Sequence, residues 1–238
     1  MRLSAALLAP YHAIEPRSQA FGATVIGTPG RGKLLALTYD DGPNPRWTPE
    51  LLALLDRHGV KATFFVVGKY VAEEPALVRR TVESGHALGN HTYSHRSLLR
   101  LSEQRIADEL SRCSQEVERA GCAFSEVPEG KLCRPPYGRK RPAALRAVRA
   151  LGYVPVLWSV TCWDWSKRPD PDRIERHAVK QTRGGDVILL HDGDGDHGME
   201  VDRHASVDVT GRIIERYRRE GFEFVTIPEL VERSERRA

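Results

Sequence analysis

Leu34-Leu35-Ala36-Leu37-Thr38-Tyr39-Asp40-Asp41-Gly42-Pro43 is the stretch from which the fold can be read. The apolar run from Leu34 to Tyr39 has the length and composition of a short buried strand. Two adjacent carboxylates end it, and Gly42-Pro43 forces a turn. Neighbouring side chains of a regular strand point to opposite faces, so Asp40 and Asp41 could not share a pocket within one. At a strand end, where the backbone bends, they can converge. Two carboxylates brought that close repel unless a cation lies between them or one carries a proton. An Asp-Asp-Gly taken alone is also an ordinary polar turn, so the rest of the chain must decide.

Outward from this strand, apolar and periodic segments alternate. The spacing predicts helices over 49–58, 70–84, 102–120, 141–151, 171–182 and 204–220, with a short one after Pro228. Further strands are expected at 62–67, 86–89, 132–134, 153–160, 186–191 and 222–226. Seven strands alternating with helices imply an α/β fold with a parallel sheet and helical crossovers. Uninterrupted apolar strands such as Val187-Ile188-Leu189-Leu190 imply that helices cover the sheet from outside. A closed or nearly closed (β/α) barrel over residues 33–238 is expected. Residues 1–32, with Pro10, Pro16 and Pro29, read as an irregular N-terminal lead-in.

A chain of 238 residues is long enough for one such domain. The net charge of +4 is a mild basic bias. A nucleic-acid surface would need Lys and Arg gathered on one face. Arg139-Lys140-Arg141 and the arginines between Arg216 and Arg219 instead read as solvated helix faces. Cys113, Cys122, Cys133 and Cys162 form no Cys-x-x-Cys pair, which argues against a structural zinc site. Free buried thiols are expected, with a Cys133–Cys162 bridge left open. Met1 to Pro10 hints at a secretion signal, but its apolar part is short and lacks a clear cleavage site. No segment approaches the ~20 apolar residues that span a membrane. Gly27-Thr28-Pro29-Gly30-Arg31-Gly32-Lys33 nearly matches a phosphate-binding loop, but Leu34 and a strand follow where Ser or Thr and a helix should.

Reactive residues of a (β/α) barrel gather at the C-terminal ends of its strands. Polar clusters fall there five times. Asp40 and Asp41 end the first strand, and His91 and His95 follow the third. Arg134 ends the fourth, in Cys133-Arg134-Pro135-Pro136-Tyr137-Gly138. Asp164 follows the fifth, in Trp163-Asp164-Trp165, and His191-Asp192 end the sixth. Two histidines four residues apart on one helical turn can hold one metal ion. With Asp41 the donors become two imidazoles and a carboxylate, which leaves positions open for water and substrate. Such donors suit zinc, cobalt, nickel, iron or manganese.

These five motifs, in this order, resemble those of the polysaccharide deacetylases of carbohydrate esterase family four, over about residues 33–230. The resemblance implies a distorted, incomplete (β/α) barrel of about seven parallel strands. It implies a metal-dependent hydrolase removing N-acetyl, and in some members O-acetyl, groups from polysaccharides such as peptidoglycan, chitin oligomers or xylan. Asp41, His91 and His95 would then bind one divalent ion, zinc in the first place. Asp40 would be the general base, kept ionised by Arg134. His191 would be the general acid, with Asp164 raising its pKa. Pro135 and Pro136 lack an N–H, so Tyr137 offers the first backbone donor for an oxyanion after Arg134. Trp165 and Leu189 match positions lining a pocket for the acetyl methyl, with Pro136 also on the substrate side. Trp158 and Trp163 could stack on sugar rings or simply pack.

His58, His86, His177 and His204 lie outside the motifs and receive no role. Tyr39 stands where the family commonly has Phe. Asp192 to Gly198 begins like a calcium loop, but His197 replaces its required Gly and Arg203 its closing Glu. It is expected to be a flexible, acidic active-site rim. The expected partner is an acetylated glycan and not nucleic acid. The resemblance favours the cell envelope or secretion, and leaves the oligomeric state unread. Two other readings stay open: a C–N hydrolase of a small non-sugar amide, and a non-catalytic carbohydrate-binding relative. The motifs describe the reaction centre and not the groove, so they leave the first in play. The second should have lost the base, the acid or a ligand, and this chain keeps all of them.

Overall fold

The quoted stretch folds as strand β1, Leu34–Asp40, with every residue buried. The computed structural model describes residues 5–235. After β1 come β2 (Thr63–Val66), β3 (Ala87–Asn90), β4 (Glu126–Val127) and β5 (Gly130–Cys133). Then follow β6 (Tyr153–Pro155), β7 (Val160–Thr161), β8 (Asp186–His191) and β9 (Glu223–Phe224). The sheet order is β4-β5-β3-β2-β1-β8-β7, with β6 added to β5 and β9 to β1. Among the strands of the described residues, β4–β5 is the one antiparallel pairing.

Alternation along β1 divides the core in two. Leu35, Leu37 and Tyr39 join the larger apolar cluster with helix residues such as Leu51, Leu55, Ile106 and Ile213. Leu34 and Ala36 join a smaller one with Phe65, Leu132, Trp158, Val187 and Leu189, inside the curl of the sheet. Both faces are therefore apolar, which is why the strands read as unbroken hydrophobic runs. The register sets the strand ends side by side. Asp40 lies opposite Phe65 and His191, and Asn90 lies opposite Val66 and Cys133. The residues that follow, His91 and Arg134, thus emerge along the same edge as Asp40 and His191.

Several expectations need correction. The lead-in is not wholly irregular: it carries helix α1, Ala5–Ile14. It also bridges to the sheet, Val25 with Val156 and Gly27 with Asp186. The helix expected over 70–84 is two, Gly68–Glu73 and Pro75–Glu83. Pro75 disfavours the helical conformation at Glu74, which sits at φ −126° and ψ 53°. The strand expected over 153–160 is also two pieces, β6 on β5 and β7 on β8. Between them the Val156 and Leu157 amides donate to Cys133 and Val25 at 2.8 and 2.7 Å. This stretch meets both edges of the curled sheet, yet β6 and β7 do not pair, so the barrel is not closed. All four cysteines are free, so no Cys133–Cys162 bridge forms. Among the described residues no helix is long and apolar enough to cross a membrane.

Candidate active site

Arg134 is 0% exposed, and its guanidinium has a partner on every side. Nη1 donates to Asp40 Oδ1 at 2.7 Å and to Thr38 Oγ1 at 2.8 Å. Nη2 donates to the Leu157 carbonyl at 3.1 Å and Nε to that of Val156 at 3.3 Å. The plane also packs on Phe65, 4.1 Å from the ring centroid. Thr38 and Asp40 lie two residues apart and so on the same face of β1. This clamp holds one oxygen of Asp40 while leaving Oδ2 facing His91 Nε2 at 3.7 Å.

Strand alternation would turn Asp41 toward the helices. Its left-handed backbone, φ 76°, brings it back to the pocket. Gly42 is required next because a Cβ there would strike the Asp192 carboxylate. Asp41 Oδ1 lies 3.4 Å from His91 Nε2 and 3.2 Å from His95 Nε2. His91 and His95 are not on a helical turn as expected. They lie in a loop, where Thr92 at φ 68° and His95 at φ 58° fold the chain back on itself. His91 Nδ1–H donates to the Arg134 carbonyl at 2.7 Å, and His95 Nδ1–H to Asp196 Oδ1 at 3.1 Å. These acceptors fix the tautomer, leaving both Nε2 lone pairs pointing at Asp41.

The cluster fits a cation. Asp41 Oδ1 is buried and has no hydrogen-bond donor, a costly state without a positive partner. Burial alone would raise the Asp41 pKa, but the surrounding imidazoles hold it well below the usual carboxylate range. His91 loses protons less readily than a free imidazole despite its burial, because Asp40 and Asp41 attract positive charge. The negative potential that draws a proton draws a metal ion equally, and the two compete. Bonds of about 2.0–2.1 Å to a tetrahedral ion set neighbouring ligand atoms roughly 3.3 Å apart, close to the distances found. Asp41, His91 and His95 form the one such donor group among the described residues.

His191 ends β8 on the other side of Asp40. Its Nδ1–H donates to Asp164 Oδ1 at 2.9 Å, and its backbone N–H to Asp164 Oδ2 at 2.8 Å. The Ser206 hydroxyl donates to the same Oδ2 at 2.7 Å. Burial opposes charge on the imidazole, yet Asp164 overcomes it and raises the His191 pKa, with help from Asp41 and Asp40. Burial likewise favours a neutral Asp164, and His191 reverses that, lowering its pKa. Asp192, behind the site, accepts from the Thr48 hydroxyl at 2.5 Å. Burial, with the charges of Asp41 and Asp40 added, pushes its carboxyl up to about 7. Tyr137, at φ 61° and ψ 9°, carries the first amide after Pro135 and Pro136. Its hydroxyl donates to both oxygens of Asp196, at 2.6 and 2.7 Å.

One cavity of about 510 Å³ gathers Asp40, Asp41, His91, His95, Tyr137, Trp165, Leu189 and His191. Arg134 and Asp164 lie behind it, buried. Pro136 is buried and is not among the residues that line this cavity. Trp158 and Trp163 do line the cavity, the first mostly buried and the second exposed. The segment Asp192–Gly198 is a tied rim. Arg203 Nε donates to the Gly193 carbonyl at 2.7 Å, Tyr70 to Asp194 and Lys69 to Gly195, each at 2.8 Å. Thr38 and Ser206 also belong to the site, and Asp196, expected only as part of an acidic active-site rim, is the partner of His95. Thr38 was readable from its two-residue offset to Asp40. Asp196 was not, since it meets His95 across 101 residues of chain.

The family model described as polysaccharide deacetylase matches residues 27–156. A peptidoglycan-N-acetylglucosamine deacetylase of Bacillus cereus is 34% identical over 208 residues, 85% of this chain and 90% of that protein. A chitooligosaccharide deacetylase of Bradyrhizobium is 39% identical over 199 residues, 82% of this chain and 89% of its own. Among solved structures, a peptidoglycan N-acetylglucosamine deacetylase superposes with a TM-score of 0.76 at 32% identity, covering 87% of this chain and 91% of its own.

Proposed function

The chain belongs to the polysaccharide deacetylase family, and on that premise we propose that it hydrolyses the acetamide of N-acetylglucosamine units in peptidoglycan or chitin-type glycans. One observation carries this reading. A single cavity is shared by a clamped carboxylate, a three-donor cluster and an imidazole backed by a buried aspartate. Family members use a divalent metal, and Asp41, His91 and His95 are the residues that would hold it. Two imidazoles and one carboxylate at tetrahedral spacing favour zinc. When bound, the ion supplies Lewis acidity, which lowers the pKa of water towards neutrality.

The chain's own groups do the rest. Asp40 Oδ2, the oxygen that Arg134 does not engage, accepts a proton from the attacking water. Arg134 holds that carboxylate in place. The Tyr137 amide donates to the oxygen of the acetyl carbonyl as negative charge develops on it. His191, protonated because Asp164 sits on its Nδ1, delivers a proton to the nitrogen as the C–N bond breaks. Acetate and a free amine result; before the next cycle Asp40 gives up its proton and His191 takes one up from solvent. Trp165 and Leu189 give the acetyl methyl an apolar seat. A polymeric wall substrate places the action at the cell envelope or outside the cell, which fractionation would test.

Acetate release from chitooligosaccharides, peptidoglycan and acetylated xylan, with metal chelated and then restored, tests the proposal. The expected result is release from N-acetylglucosamine glycans, lost on chelation and regained with zinc. Turnover of a small acetamide with none of any glycan would favour the small-amide hydrolase instead.

A further inference from the structure

Strand alternation sends the last side chains of β1 two ways. Asp40 turns inward to the cavity, and Tyr39, one residue earlier, turns outward to the helices. The Tyr39 ring is fully buried and stacks on Phe64, with centroids 5.1 Å apart and planes at 28°. Phenylalanine, common at this place in the family, would serve that packing equally well. The hydroxyl is the part that needs a reason, because a buried O–H without a partner is costly.

That hydroxyl reaches the helix His204–Arg219, where Thr210 Oγ1 lies 3.0 Å away. Thr210 spends its own proton one turn back, on the Ser206 carbonyl at 2.7 Å. Its oxygen is then left to accept, so Tyr39 is the donor. Ser206 donates its hydroxyl to Asp164 Oδ2 at 2.7 Å, and Asp164 Oδ1 accepts from His191 Nδ1–H at 2.9 Å. Among the described residues, Ser206 supplies the one hydrogen bond to the Asp164 carboxylate that does not come from His191. Tyr39, Thr210, Ser206 and Asp164 are each no more than 2% exposed, so water does not compete for these groups.

We propose that the Tyr39 hydroxyl is a positioning group for the general acid, acting through Thr210, Ser206 and Asp164 on His191. The proposal rests on the deacetylase function and on His191 as its proton donor. A serine hydroxyl can rotate about its Cα–Cβ bond, so Ser206 meets Asp164 only while its helix keeps its distance from β1. Tyr39 sets that distance one turn further along the same helix face. Bonds in such a chain also polarise one another, so donation from Tyr39 tightens the link from Thr210 to Ser206. The residue that precedes the base in sequence thereby holds the support of the acid. One strand end fixes both partners of proton transfer relative to each other.

The test is kcat, KM and bound zinc for acetate release from the N-acetylglucosamine tetramer. The proteins compared are wild type, Tyr39→Phe, Thr210→Val, Ser206→Ala and the double variant Tyr39→Phe with Ser206→Ala. Tyr39→Phe keeps the ring in its stack and should lower kcat about 3- to 10-fold, as loss of one buried hydrogen bond does. KM should not move, and zinc per chain should stay at the wild-type level, which a loss of folded protein would lower. Thr210→Val breaks the same link from the helix side and should match Tyr39→Phe. Ser206→Ala should cost at least as much, and adding Tyr39→Phe to it should cost nothing more, because residues that act in series are not additive. Wild-type kcat in either Tyr39→Phe or Thr210→Val, whatever the melting temperature, would overturn the proposal, as would losses that multiply in the double variant. No acetate from the wild-type protein would instead refute the deacetylase reading itself.

Discussion

Asp40 and Asp196 are both carboxylates beside the histidines of the cavity, and the structure holds them in opposite ways. Asp40 ends a buried strand, nearly inaccessible, with Arg134 on one oxygen and strands β2 and β8 on its flanks. Asp196 sits half-exposed on the loop after β8, joined to His95 and the Tyr137 hydroxyl and to nothing in the core. Removing one partner of a buried ion pair strands the other charge, so such sites tolerate little. Contacts on a solvated rim are graded, because water replaces what is lost. The strand-end side is therefore built for chemistry, and the rim for orientation and choice of substrate.

The first way to break this contrast is His91→Ala, on the strand-end side. It should abolish detectable turnover and strip the metal, read by elemental analysis of the purified protein. Full metal occupancy would remove His91 from the site. Next in size is His191→Ala, for which turnover should fall about 10²- to 10⁴-fold, the usual worth of a positioned acid. Metal content should stay at the wild-type level. Asp164→Asn should act through pH as well as rate, with turnover down about tenfold or more. Asp164 raises the His191 pKa, so the acid keeps its proton at low pH and loses it as pH rises through that pKa. Without the carboxylate the alkaline limb of the kcat profile should move to lower pH. A limb that stays put would assign it to another group. The smallest effect is expected on the rim: Asp196→Ala should weaken metal affinity about tenfold, as loss of a histidine's outer partner does. A loss as complete as in His91→Ala would erase the distinction between the two sides.

The same contrast separates what the sequence revealed from what it hid. Asp40, Asp41, Arg134, Asp164 and His191 follow short apolar runs, and a parallel sheet brings such ends together whatever the helices between them do. Their convergence was legible because it needs only strand order and direction. How Asp41 joins Asp40 was half legible: a bend was expected, and a left-handed Asp41 supplies it. His91 and His95 were expected on a helical turn but converge through two left-handed residues, which their identities do not announce. The split of 153–160 into β6 and β7 depends on meeting both sheet edges at once, a property of the whole curl. Helix α1 was hidden by Pro10 within it, and what fixes it is a lysine more than 120 residues away. Pairings of that range leave no local pattern to read.

The central claim is the division between Asp41, which faces the histidines, and Asp40, which Arg134 withholds for the proton. It is tested most directly by metal content in Asp40→Asn and Asp41→Asn, each equilibrated with limiting zinc and assayed for acetate release in the same sample. The account predicts that both lose turnover, that Asp40→Asn keeps its metal and that Asp41→Asn loses it. Metal lost from Asp40→Asn, or retained in full by Asp41→Asn, would contradict it.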